Sequence, residues 1–292
     1  YNQPVHFLIS AIEHSSIFQT INYLKQFDIE FDVIPVDSKG FVDQDSYIQL
    51  FKPYTRLVSI ALANNEIGTV QPIDALVSIA HEKGALFHTD AVQALGKMVI
   101  DVTLLNCDFI SFSAHKVYAP KGVGGLYVCD DTKIKPLLYG GFHEKGLRAS
   151  TENISGIMAF SEALNQIDIK AYQQHTLELK KALIHRLNTI DGVVFNGPLD
   201  MQGLTNTLSV SFEHCNGYAL AMNCDLEGIA LSTGSACSVG SIEPSHVLQA
   251  IGLSEDQNKN TIRISFGKTN QLSDVDFIGD KIHEIVNRLR LC

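Results

Sequence analysis

The sequence predicts an α/β protein, with a large domain on a mostly parallel sheet followed by a smaller α+β domain. Three observations carry this reading. Short strand-like runs alternate with amphipathic helical stretches through the first half of the chain. Those runs are continuously apolar, as strands covered on both faces are. After a long helical stretch near the middle the pattern changes to strands and helices in a different order.

In chain order, strands are expected at residues 6–10, 31–35, 56–61, 85–89, 109–113 and 125–128. Helices are expected at 15–27, with Ser15 or Ser16 as its cap, and at 73–83. A connector helix covers 151–187, with an interruption near Asp168. Residues 205–212 alternate like a half-buried strand, 217–224 form a short helix, 261–266 another strand and 273–291 a closing amphipathic helix. The domains are therefore expected at 1–172 and 173–292.

Composition narrows the function classes. The chain has 292 residues, with 22 Lys and Arg against 32 Asp and Glu, a net charge of −10. That balance argues against nucleic acid as a direct partner. With 45% hydrophobic and 18% charged residues the chain suits a folded protein. No apolar run reaches the ~18 residues a membrane span needs. The six cysteines, at 107, 129, 215, 224, 237 and 292, show no CxxC spacing, so a reducing cytoplasm is the expected location. The tetrapeptide His-Glu-Lys-Gly, at 81 and 143, lacks the second histidine of a zinc-protease helix, and no metal is expected. The chain opens on Tyr1 and runs straight into the apolar stretch 5–9, so residues upstream are expected to be missing.

Functional residues of open parallel sheets gather beyond the carboxyl ends of the strands. Asp90 ends one apolar strand, where it reads either as a helix cap or as a functional carboxylate. Ser113, His115 and Lys116 end another. Lys116 reads either as a surface lysine or as an amine nucleophile in an electropositive or desolvated cleft. An amine with a carboxylate one strand away is what pyridoxal-phosphate chemistry needs, the carboxylate keeping the pyridine nitrogen protonated. Ser113 and His115 would then hold the phosphate. Cys237 lies in the small, polar stretch Leu231-Ser-Thr-Gly-Ser-Ala-Cys237-Ser-Val-Gly-Ser241, a loop by composition, where a thiol is exposed to use. Cys107 and Cys129 flank strands and read as core residues. Arg263, in a half-apolar strand, must be paired or aimed at an anion.

Six segments occur in register: His14 in Glu-His-Ser-Ser, Asn64-Asn-Glu-Ile-Gly68, His88-Thr-Asp-Ala-Val-Gln93, Ser111-Phe-Ser-Ala-His-Lys116, Gly140-Gly-Phe-His-Glu-Lys-Gly-Leu-Arg148 and Ser232-Thr-Gly-Ser-Ala-Cys237. Over essentially the whole chain they resemble the cysteine desulfurases, pyridoxal-phosphate enzymes of the class V aminotransferase family with the aspartate-aminotransferase-like fold. The cysteine loop is similar to that of the subgroup feeding iron–sulfur assembly and tRNA thiolation. The resemblance implies that Lys116 carries the cofactor covalently and takes the substrate's α-proton, that Asp90 pairs with the ring nitrogen, and that Gln93 bonds the ring hydroxyl. It further implies that His14 stacks on the ring and shuttles protons, and that Ser113 and His115 bind the phosphate. Thr151 would reach the phosphate of a neighbouring subunit in a homodimer. Asn65 and Arg263 would hold the carboxylate of L-cysteine, and Cys237 would take the sulfur as a persulfide for an acceptor such as an iron–sulfur scaffold protein.

The sequence also departs from the family. Relatives carry a longer stretch before His14, including a threonine-bearing, glycine-containing turn at a helix start that cradles the phosphate. Its loss is expected to leave cofactor binding weak or absent. Ala149-Ser150 stands where Ser-Gly is usual, and Phe142 adds bulk in the glycine run. The chain stops at Cys292, where relatives often have a longer tail that docks the scaffold. Two alternatives stand beside the desulfurase: a lyase acting on selenocysteine or cystine (or an aminotransferase), and an inactive module that binds sulfur-carrier partners.

Overall fold

A computed structural model describes residues 4–130, 132, 134–234 and 244–291. The first region is a six-stranded sheet in the order β2-β1-β3-β4-β5-β6. Its strands are β1 (Val5–Ser10), β2 (Ile29–Ile34), β3 (Thr55–Ser59), β4 (Leu86–Asp90), β5 (Phe109–Ser113) and β6 (Gly124–Val128). All neighbours pair in parallel except β5 with β6, which is antiparallel. The helices between them are α1 (Ser15–Leu24), α2 (Gln44–Gln49), α3 (Ile73–Glu82) and the single turn α4 (Val102–Leu105). On α3, Ile73, Leu76, Val77 and Ala80 recur at helical spacing and are all buried. They join Leu8, Val58, Phe87 and Ile110 from the strands in one core.

Two helices lead out of this sheet, α5 (Ile154–Asn165) and α6 (Ile169–Leu187). The expected break is real: Asp168 caps α6, its carboxylate accepting from Ala171 N at 3.0 Å. The residues 172 and 173 both lie within α6.

The second region holds a four-stranded antiparallel sheet in the order β7-β8-β10-β9. Its strands are β7 (Val193–Asn196), β8 (Thr207–Phe212), β9 (Ser232–Thr233) and β10 (Thr261–Ser265). Its helices are α7 (Gly217–Leu226), α8 (His246–Ala250), α9 (Glu255–Lys259) and α10 (Leu272–Leu289). Leu179, Leu183 and Leu187 of α6 and Val275, Ile282 and Ile285 of α10 pack with Leu208, Val210 and Phe212 of β8 into a separate core.

Two local expectations are corrected. The strand at 205–212 is not half-buried: every residue of β8 is buried. Its alternation separates an apolar face from a face of small hydroxyls, which is covered as well. Ser211 Oγ bonds Thr261 Oγ1 at 2.7 Å, and Asn196 Nδ2 donates to Ser209 and Ser211 Oγ at 3.2 and 2.9 Å. The cap of α1 is neither Ser15 nor Ser16 but His14, whose Nδ1 accepts from Ser16 N at 3.2 Å.

The two regions meet on a third, smaller core of Ile12, Ile67, Val247, Leu248 and Ile251. Around it, His246 Nε2 hydrogen-bonds Glu13 O at 2.8 Å and Ser245 Oγ donates to Glu66 Oε2 at 2.6 Å. The second region therefore rests on the loops that follow β1 and β3, at the carboxyl end of the first sheet.

Candidate active site

Four parallel strands deliver the predicted residues to one edge. His14 follows β1, Asn65 follows β3, Asp90 ends β4 with Gln93 just beyond, and Ser113 ends β5 with His115 and Lys116 on the single helical turn after it. Adjacent strands bring the two ends together: Asp90 pairs in register with Ser111 of β5, the strand that Lys116 follows. Asp90 is half-buried, and its Oδ1 accepts from Val92 N at 2.8 Å. Lys116 is exposed, so it does not lie in a desolvated cleft. Ser113 Oγ and His115 Nδ1 share a hydrogen bond at 2.7 Å. Burial, Lys116 and Lys121 hold the His115 imidazole below its ordinary value and so favour its neutral form.

Arg263 reaches the same edge from the second region. Its Nη1 donates to Asn65 O at 3.1 Å, joining the two residues expected to hold a substrate carboxylate. Asn64 steadies that loop: its Nδ2 donates to Ile12 O, and its Oδ1 accepts from Glu66 N and Ile67 N. Because His14 Nδ1 accepts from a backbone amide, the ring's remaining nitrogen, Nε2, carries its proton. Thr151 is exposed in the turn before α5 and joins none of these hydrogen bonds among the described residues. Cys237 and Cys292 lie outside the described residues. Cys107, Cys215 and Cys224 are buried, and burial pushes the thiols of Cys107 and Cys224 up to about 12 and about 11. Those two are poor thiolates. Cys129, half-buried, sits just after β6.

Three ionisable residues at the site were not anticipated. Glu13 is fully buried, with Oε1 accepting from Ala61 N at 2.6 Å. Burial, then the charge of Asp90, push its carboxyl well above the usual carboxylate range. Glu66 is pushed up to about 7 by burial, against the opposing pull of the Ser245 hydroxyl and Arg263. Lys97, buried, donates to Gln93 Oε1 at 2.7 Å. Burial, then the charges of Lys116 and Arg263, bring it down to about 7. Glu13 and Glu66 lie inside two of the six segments, beside His14 and Asn65, and Lys97 lies four residues from Gln93. Those adjacencies are the signal the sequence offered.

The comparisons with known proteins agree with this geometry. The family described as Aminotransferase class-V matches residues 2–278. A protein named cysteine desulfurase IscS from Dictyoglomus turgidum is 39% identical over 288 residues, which cover 98% of this chain and 73% of the relative. A solved structure titled "NIFS-LIKE PROTEIN" superposes with a TM-score of 0.90 at 35% identity, covering 98% of this chain and 76% of that one. Another, titled "SspA in complex with cysteine", gives a TM-score of 0.77 at 34% identity, covering 90% and 74%. The group these enzymes depend on is pyridoxal phosphate, and the donor set here fits it: an exposed amine at Lys116, a carboxylate at Asp90 with one oxygen already held, an amide at Gln93 and a hydroxyl–imidazole pair at Ser113 and His115. The chain belongs to the class-V aminotransferase family and, within it, to the cysteine desulfurases.

Proposed function

We propose that this chain takes sulfur from L-cysteine, releases L-alanine and carries the sulfur as a persulfide on Cys237 to an acceptor for iron–sulfur cluster assembly or tRNA thiolation. The observation that supports the reading is that Asp90 and Lys116 stand at or just after the carboxyl ends of adjacent parallel strands, with Gln93, Ser113, His115, His14 and Asn65 at the same end of the sheet. Bound there, pyridoxal phosphate draws electrons from the carbon next to the substrate's amine.

The chain's own residues do the rest. Lys116 holds the cofactor covalently and takes the substrate's α-proton. Asp90 keeps a counter-charge at the ring nitrogen. Ser113 and His115 bind the phosphate, Arg263 and Asn65 hold the substrate carboxylate, and His14 moves protons at its Nε2. The Cys237 thiolate bonds to the substrate sulfur as the Cβ–S bond breaks, and a proton takes the electron pair left on the substrate. The buried thiols of Cys107 and Cys224 compete poorly for this role.

The same reading makes the protein a cytoplasmic homodimer with Thr151 serving the partner's phosphate, and divides it into domains at 1–172 and 173–292. Exposed apolar side chains support the dimer: Leu137, Tyr139 and Phe142 precede Thr151 in the chain, and Ile154 and Met158 of α5 follow it. Among the described residues no helix is long and apolar enough to cross a membrane.

Intact mass tests the reaction. Incubation with pyridoxal phosphate and L-cysteine is expected to add one sulfur to the chain, and Cys237→Ser to abolish the gain while leaving cofactor uptake unchanged. Sulfur added equally to the Cys237→Ser variant would sink the assignment of the nucleophile.

A further inference from the structure

We propose that Lys97 is a positioning residue for the cofactor site: by donating to Gln93 Oε1 it fixes the orientation of that amide and leaves Nε2 as the group offered to the cofactor's ring oxygen. The inference rests on the pyridoxal-phosphate reading above and adds a residue that the six segments do not assign.

The geometry is specific. Lys97 is 8% exposed, and its Nζ lies 2.7 Å from Gln93 Oε1. A lysine nitrogen donates in either protonation state, and here Nζ is the donor to the amide oxygen, not to its N–H group. Gln93 is then committed as a donor on its other side. A donor there suits the ring oxygen in its ionised form, which accepts and does not donate.

Stability does not explain the lysine. A buried cation is normally matched by a carboxylate, and among the described residues none pairs with Lys97. The charged groups that face it are cations, Lys116 from the turn after β5 and Arg263 from β10. An apolar side chain of similar length would fill the space at lower electrostatic cost. What the lysine supplies, and an apolar residue would not, is the hydrogen bond to Gln93. The backbone fixes its place: Gly96 has φ +70°, and a Cβ there would lie 2.8 Å from both Val117 Cγ1 and Ile167 Cδ1. The turn bearing Lys97 is thus packed directly on the turn bearing Lys116.

A double-mutant cycle on the full chain tests the assignment, with the cofactor's dissociation constant and absorption spectrum as readouts and the thermal midpoint recorded alongside. Lys97→Met is expected to weaken pyridoxal-phosphate binding by about tenfold and to change the relative intensities of the cofactor's bands. Gln93→Ala is expected to do the same, and the double variant to be no worse than either single one. Lys97→Gln, which keeps a neutral donor, should stay within about threefold of the parent. Multiplicative losses from the two single variants, or a Lys97→Met variant that folds and binds like the parent, would overturn the inference. Should Lys97→Met not fold, Lys97→Gln decides: its binding must match the parent and its spectrum must match too. If the parent shows no band that Lys116→Ala removes, the cofactor reading itself has failed; a band in the parent that ignores Lys97 overturns this inference alone.

Discussion

The two sheets bury polar groups in opposite ways. In the antiparallel sheet they are neutral and satisfy one another: Asn196, Ser209, Ser211 and Thr261 form a closed ladder between β7, β8 and β10. Around the carboxyl edge of the parallel sheet they are ionisable. Burial, then the charge of Asp90, act on Glu13, and burial, then the charges of Lys116 and Arg263, act on Lys97. Neutral ladders cost little once every donor has an acceptor. Buried ionisable groups without a partner of opposite charge are expensive and mark functional sites. On the proposed reading the second sheet is a scaffold that brings Arg263 to the site, while the first carries Asp90 and Lys116.

The largest effect that sharpens this contrast is on activity. Lys116→Ala is expected to lower the rate of alanine formation by more than about 10³-fold, because the covalent attachment and the base are lost together. Since Lys116 is exposed, its thermal midpoint should barely move. A variant that keeps a tenth of the parent's turnover would place the chemistry elsewhere. The opposite pattern is expected of Phe212→Ala. Phe212 is fully buried against α6 and α10, and its loss should cost about 3–5 kcal/mol in denaturant unfolding. The cofactor affinity of the molecules that remain folded should hold. A Phe212→Ala chain of parental stability would show that the second core does not support the fold.

The scaffold was more legible in the sequence than the site. All six strands of the first sheet were expected from apolar runs; the inner ones are the better covered, whereas the edge strands β2 and β6 are largely half-buried or exposed. The interruption near Asp168 was legible as well; that Asp168 caps α6 is what the structure adds. Asp90 and Lys116 were legible because strand ends point to them. Glu13, Glu66 and Lys97 were not, because a charged residue reads locally as surface. Their burial comes from contacts far along the chain: Glu66 takes its hydrogen bond from Ser245, 179 residues away. His14 as a cap escaped for a different reason. Imidazole is not among the usual capping groups, yet here Nδ1 of His14 serves the helix.

The smallest effect probes the buried charge itself. Glu66 is raised to about 7 from an ordinary value of 4.5, chiefly by burial. Between those values the folded chain binds more protons at this position than the unfolded chain does. Its contribution to stability is therefore fully present below the ordinary value and lost as pH rises through 7. Glu66→Gln cannot ionise and should flatten that decline by on the order of 1–3 kcal/mol between pH 4.5 and 8. Lys97, lowered to about 7 from 10.5, works the other way: its contribution is lost as pH falls through 7, so its slope lies above that point. Taking the difference between variant and parent at each pH removes it. Ser211→Ala is the control from the neutral ladder. It should cost about 1 kcal/mol and give the same difference at every pH. If urea unfolding shows Glu66→Gln running parallel to the parent across this range, Glu66 carries no buried charge, and the two sheets would differ less than their side chains suggest.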